Sequence, residues 1–201
     1  MRPICLLLLF GLAVCLGCQS VPQTRLVPNP PPAAEIPVAN LPESLRPYNW
    51  TDVGGSGSCV NASTVYMLRW RGMEAMADWW RANHAGGETD STIRKHHDAA
   101  GIRYVFTRAA DASFLDWCSR TRRGAIIWFY ERHCISFVGF ATVEGREYAF
   151  LNDNNRPQRF IRIERGAFIR RWAGYGGFGL SQLNPPVPPP LYPAYRSVPN
   201  A

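Results

Sequence analysis

Gly54-Gly55-Ser56-Gly57-Ser58-Cys59-Val60-Asn61-Ala62-Ser63-Thr64-Val65-Tyr66-Met67-Leu68-Arg69-Trp70 is the stretch from which the architecture can be read. A glycine-rich turn runs into an amphipathic helix, and Cys59 stands at or beside the first helical residue. That position has a chemical meaning. The start of a helix presents free N–H groups and partial positive charge, and both favour a thiolate over a thiol. The same N–H groups can hold an oxyanion that develops during acyl transfer. The glycines ahead of Cys59 let a substrate backbone come close. A buried small hydrophobe is the plainer fate of a free cysteine, so a reactive Cys59 requires partners elsewhere in the chain.

Moving outward, the pattern predicts a second helix over 74–83, ended by Gly86-Gly87. Thr89, Asp90 and Ser91 offer caps for a third helix ending near Gly101. A short strand is expected over 102–106 and a helix over 112–120. The periodicity then changes. Ala125-Ile126-Ile127-Trp128-Phe129 reads as a buried strand, and His133 opens another that continues to Phe140. Glu144-Gly145 makes a turn into a returning strand over 148–151, a further strand is expected over 159–163, and a helix over 164–172 precedes glycine-rich sequence. Helices first and antiparallel strands second imply an α+β fold, with N-terminal helices packed on an antiparallel sheet.

The partners come from the second half. Adjacent antiparallel strands bring residues near one end of a hairpin together, so His133 and Asp153 can meet. A carboxylate there would fix the imidazole tautomer and leave its other nitrogen for Cys59. Asn152 is an alternative orienting residue. A Cys, His, Asp order spread over the chain and assembled by folding is what such a nucleophile requires.

Cys59-Val60-Asn61-Ala62-Ser63, continuing to Leu68, resembles the nucleophile helix of the bacteriocin-processing (double-glycine leader) peptidases of the papain-like superfamily. His133-Cys134-Ile135-Ser136-Phe137-Val138-Gly139-Phe140 is similar to their histidine strand, and Leu151-Asn152-Asp153 to their aspartate motif. Gly166-Ala167-Phe168-Ile169-Arg170-Arg171-Trp172 resembles their closing helix. The resemblance implies a papain-like fold over 48–183 and a Cys59, His133 and Asp153 catalytic set that needs no cofactor and no metal. It implies a monomer acting on a peptide or protein substrate. Two positions depart from the pattern. Asn154 stands where the family has Pro, and Val53 stands six residues before Cys59 where the family has an oxyanion-donating Gln. Ser58, Ser56 and Asn49 are candidate substitutes, along with backbone N–H groups. The missing Gln also keeps open a catalytically weak or inactive relative that binds peptides or cell-wall material. A cell-wall hydrolase using Cys and His on a similar fold is a further variant.

The remaining sequence concerns location. Residues 1–18 have a positive Arg2, an apolar run and a closing Leu16-Gly17-Cys18, which reads as a signal peptide. It resembles a lipobox in which Cys18 carries lipid, although Cys15 occupies the usual Leu position. That places the protein at the cell envelope, membrane-anchored through lipid, with Gln19 favouring the outer membrane. Residues 19–47 read as a Pro-rich tether and 184–201 as a Pro-rich disordered tail. The net charge of +7 is carried by scattered arginines, Lys95 being the only lysine, and makes no stripe for nucleic acid. Outside the leader, Cys59, Cys118 and Cys134 remain. Cys118 and Cys134 can be a disulfide or two separate buried thiols. His96 and His97 are adjacent on a helix, so they read as a solvated face and not as metal ligands.

Overall fold

Eleven of the twelve residues of α1 (Cys59–Trp70) are buried, so this helix runs through the interior. The structure, a computed structural model, describes residues 40–183. The signal segment, Cys18, most of the tether and the C-terminal tail lie outside the described residues. Among the described residues, no helix is long and apolar enough to cross a membrane.

Around α1 the chain builds two layers on opposite faces of one sheet. A short 3₁₀ turn (Glu43–Leu45) precedes α1, followed by α2 (Glu74–Asn83), α3 (Asp90–Ala99), β1 (Tyr104–Thr107) and α4 (Ala112–Arg120). Then come β2 (Ala125–Trp128), β3 (Cys134–Val143), β4 (Arg146–Asn152), β5 (Phe160–Glu164), α5 (Arg165–Gly174) and β6 (Gly179–Gln182). The sheet is antiparallel throughout, in the order β1-β6-β2-β3-β4-β5. Mixed helices and an antiparallel sheet make this an α+β fold.

Alternation along the strands assigns the two faces. Ile126 of β2 and Phe150 of β4 meet α1, Trp80 of α2 and Ile93 of α3. Ala125 and Ile127, with Ala149 and Leu151, face the other way, onto Leu115 of α4 and Phe168 and Trp172 of α5. Caps fix where the helices begin. Thr89 and Thr92 form a reciprocal capping box ahead of α3, and the Glu164 carboxylate accepts from Gly166 N and Ala167 N at the start of α5.

Two features differ from the sequence expectation, and one open choice is decided. The segment 40–47, read as tether, packs on the domain: Leu41 is fully buried, and Arg46 donates to Leu41 O, Pro157 O and Gln158 O. A buried guanidinium surrounded by carbonyls pins this segment to the loop that follows β4. β6 was not anticipated. It has one large apolar side chain, Leu180, and its place between β1 and β2 comes from long-range pairing (Ile126 with Leu180, Val105 with Ser181). Cys118 and Cys134 are separate buried thiols and not a disulfide. The sheet lies between them, because Cys134 faces α1 and Cys118 of α4 packs on the opposite side. Burial pushes the Cys118 thiol up to about 12 and the Cys134 thiol well above its ordinary range, so both are unreactive.

Candidate active site

The turn ahead of α1 is built by one carboxylate. Asp52 Oδ1 accepts from Gly54 N (2.9 Å) and Ser56 N (2.7 Å), and Ser58 N donates to Trp50 O at 2.7 Å. Gly86 lies against the same Asp52. It has a φ of +86°, and a Cβ there would come within 2.5 Å of the Asp52 carboxylate, so only glycine fits. These contacts deliver Cys59 to the floor of a cleft of about 500 Å³. Cys59 is 9% exposed, whereas Cys118 and Cys134 are fully buried. That difference makes Cys59 the accessible thiol of the three.

The opposite wall is the β2–β3 turn. Phe129 N donates to His133 O at 3.0 Å and closes it, with Tyr130 and Arg132 in left-handed conformations at φ 68° and 53°. Such residues each cost about 1–2 kcal/mol and persist where the surroundings over-determine them. Here the distortion aims the His133 ring into the cleft. Tyr130 stacks against that ring with centroids 6.3 Å apart. A broader hollow of about 940 Å³ beside β1, lined by Arg103, Tyr104 and Phe106, contains no nucleophile.

His133 Nε2 lies 2.8 Å from Asp153 Oδ1, and the ring shares its cleft with the Cys59 thiol. With Nε2 committed to the carboxylate, Nδ1 is the nitrogen left for Cys59. Burial alone would lower the His133 pKa. The hydrogen bonds to Asp153 and Cys59, with their charges, outweigh it and raise the value to about 9. Asp153 shows the converse: burial raises its pKa, but the bond to His133 and a backbone N–H from Asn155 (2.9 Å) hold it below the usual carboxylate range. The structure therefore pairs His133 with Asp153 and sets Cys59 in the same cleft as the imidazole. His133 itself sits just before β3 rather than within it.

The other candidates have different tasks. Asn152 is buried and its Nδ2 donates to Pro157 O, away from the imidazole, so it shapes the loop and does not orient His133. Ser58 is fully buried and its Oγ accepts from Gly86 N at 2.8 Å, which makes it part of the scaffold. Ser56 lies exposed in the Asp52 turn. Asn49 Nδ2 donates to Asn155 Oδ1 at 3.0 Å, beside Gly57. Val53 is fully exposed, so the position of the family's Gln points into solvent. None of these side chains fills the oxyanion role as placed, which leaves the N–H groups at the start of α1.

One residue of consequence was visible in the sequence only as a departure from the family motif. Asn154 is buried, and its Nδ2 lies 3.0 Å from Cys59 O, 3.1 Å from Ser63 Oγ and 2.9 Å from Cys134 O. It ties the first turn of α1 to the start of β3, so Cys59 and the backbone beside His133 are held by the residue next to Asp153. His97 is also unlike its expectation. It is fully buried between Trp80 and Tyr104, bonds Ile93 O at 2.8 Å and Gln182 Nε2 at 3.1 Å, and burial lowers its pKa to about 4.

The sequence matches no protein-family model. It also matches no curated protein. Among solved structures, the chain has a distant likeness to procathepsin L2, a digestive proteinase from the larval midgut of Tenebrio molitor. The identity is 11%, the TM-score 0.43, and the match covers 75% of this chain and 68% of that one.

Proposed function

We propose that this chain is a cysteine peptidase of papain-like fold that hydrolyses peptide bonds through Cys59, His133 and Asp153. The observation that carries the reading is the His133 ring, held by Asp153 through Nε2 at 2.8 Å in the same cleft as the accessible thiol of Cys59. In this reading Cys59 Sγ attacks the peptide carbonyl carbon as a thiolate. The carbonyl oxygen takes up negative charge and is held by N–H groups at the start of α1. Protonated His133 then gives its proton to the leaving amine, and a thioester remains on Cys59. Water, deprotonated by the now neutral His133, attacks the thioester, releases the acid and restores the Cys59 thiolate beside protonated His133. Asp153 keeps the imidazole in one orientation throughout.

A peptide carrying a thiol-reactive warhead tests this directly. It should label the protein once, at Cys59, and labelling should vanish in Cys59→Ala. Labelling that survives in Cys59→Ala, or fails in the folded wild type, would remove the peptidase reading. The second reading, a peptide-binding relative with little turnover, is favoured by one observation: the exposed Val53 supplies no side-chain donor to the oxyanion. It predicts labelling of Cys59 without hydrolysis of any peptide.

The location read from residues 1–18 belongs to the same proposal: export, lipid on Cys18 and a place at the cell envelope, supported by Leu16-Gly17-Cys18 after the apolar run. Cys18→Ser should move the protein from the membrane to the soluble fraction. A wild type that is already soluble, with a mature N-terminus beyond Cys18, would rule the anchor out.

A further inference from the structure

His96 lies on α3 next to the buried His97, but its ring turns towards a different neighbour. His84, at the C-terminal end of α2, has its ring centroid 4.5 Å from that of His96. Glu88, from the loop between the two helices, completes a group in which one ligand atom of each residue lies within 4.8 Å of the others. Glu88 is not a solvated surface acid, since its side chain is only 7% exposed. Nor is the cluster closed by hydrogen bonds. His84 Nε2 and His96 Nδ1 are both buried without a hydrogen-bond partner. His96 Nδ1 is 3.1 Å from Glu88 Oε1, close enough to touch but out of line for a hydrogen bond.

Two buried imidazole nitrogens and a buried carboxylate without mutual hydrogen bonds are an unsatisfied set. We infer that His84, Glu88 and His96 form a binding site for one divalent transition-metal ion of the zinc class. Two ligand atoms at about 2.0–2.1 Å from a tetrahedral metal stand about 3.3 Å apart, near the His96–Glu88 separation. Small rotations of the side chains bring in the third ligand, and a fourth position remains for water or a ligand from solution. Two nitrogens and one oxygen suit zinc, cobalt or copper better than calcium or magnesium, which prefer oxygen alone.

The surroundings are also those of a metal site. His84 is fixed at the backbone, with its N donating to Trp80 O (3.0 Å) and its O accepting from Trp50 Nε1 (3.2 Å). Asn61 Nδ2 approaches Glu88 Oε1 at 3.5 Å, and Asn61 Oδ1 is in turn held by Trp80 Nε1 at 2.9 Å. Outer contacts of this kind orient ligands. Glu88 also lines the cleft that holds Cys59 and His133. A bound ion would clamp α2 to α3 and fix the cleft wall formed by Gly87 and Glu88. The spacing His84, Glu88, His96 fits no metal motif in sequence, because the first ligand sits beyond the end of one helix and the last lies well inside the next.

The test uses Cys59→Ala protein, so that the accessible thiol cannot bind the metal and the outcome does not depend on peptidase activity. Zinc titrated into this protein should bind at one equivalent with a dissociation constant of about 10 µM or tighter. Cobalt should give the intense visible absorption of a four-coordinate ion. His84→Ala, His96→Ala and Glu88→Gln should each weaken zinc binding by at least about tenfold, the smallest effect expected of a residue that contributes to a site. Glu88→Gln keeps the shape of the side chain and guards against misfolding, with the thermal unfolding of the metal-free protein checked alongside. Absence of binding at about 100 µM zinc would overturn the inference. So would stoichiometric binding that these three substitutions leave unchanged.

Discussion

Replacing His133 by Ala should lower peptide hydrolysis at pH 7 by at least about 10³-fold, equivalent to about 4 kcal/mol of lost transition-state stabilisation. The size follows from its three roles in the proposed cycle: it pairs with the thiolate, protonates the leaving amine and activates water. The wild-type pH profile should carry the same signature. Because the His133 pKa is raised to about 9, the ring stays charged through neutrality, and activity should fall on the alkaline side as pH passes that value. Asp153→Asn removes the charge that raises the pKa, so the alkaline fall should move to lower pH. Stability obeys the same sign. A pKa raised in the folded state contributes stability that is complete below the unfolded value of about 6.5 and disappears as pH rises through about 9. Hydrolysis of a peptide library, read by product mass from pH 5 to 10, checks the three statements about rate, and urea denaturation over the same pH range checks the one about stability. A His133→Ala rate within tenfold of wild type would mean that the ring is structural.

Trp80→Ala should be among the most damaging single changes to the fold, costing about 3–5 kcal/mol in urea denaturation. Trp80 is fully buried, and its ring stacks on His84 (4.3 Å) and tilts against His97 (4.9 Å). Its Nε1 donates to Asn61 Oδ1 inside the core. Truncation therefore opens a large cavity and strands a buried acceptor. Trp80→Phe separates the two contributions, since it keeps most of the ring and loses only the donor, for about 1–3 kcal/mol. An alanine variant costing less than 1 kcal/mol would show that α2 does not rely on this contact. Trp79, 45% exposed on the same helix, should tolerate alanine with little change.

Much of this arrangement was legible in the sequence where the signal is local. α1 announces itself by the glycines, Cys59 and a long apolar run, and its observed bounds coincide with the reading. The β3–β4 hairpin follows from the Glu144-Gly145 turn between apolar strands, and it accounts for the meeting of His133 with Asp153. Features set by distant partners were not legible. Nothing within Gly179-Leu180-Ser181-Gln182 marks a central strand, because its neighbours are residues near 105 and 126. Ser58 looked like a donor beside the nucleophile, yet its hydroxyl is taken by Gly86, a contact that depends on how the α2–α3 loop folds back. The choice between a disulfide and two separate thiols was left open for a similar reason. Alternation told which way Cys134 points relative to its neighbours, but not which helix layer lay on that side. Asn154 was noted only as a missing proline, although its amide spans α1 and β3.

The late strand β6 has a bearing on how this chain reaches its native state. β1 and β2 each wait, with an open edge, for residues 179–182 to enter between them. A chain made from its N-terminus passes through a stage in which β1 has no partner strand and the β2–β3–β4–β5 sheet has an open edge at β2. Such edges are where strands of different molecules join. Pairings this remote in sequence also slow the search for the native topology. Tyr175, on the cleft wall, and Phe178, stacked on Trp128, belong to the same final segment. The cleft is thus among the last parts to take shape, and a nascent or C-terminally clipped chain has the Cys59 thiol before the walls around it are complete.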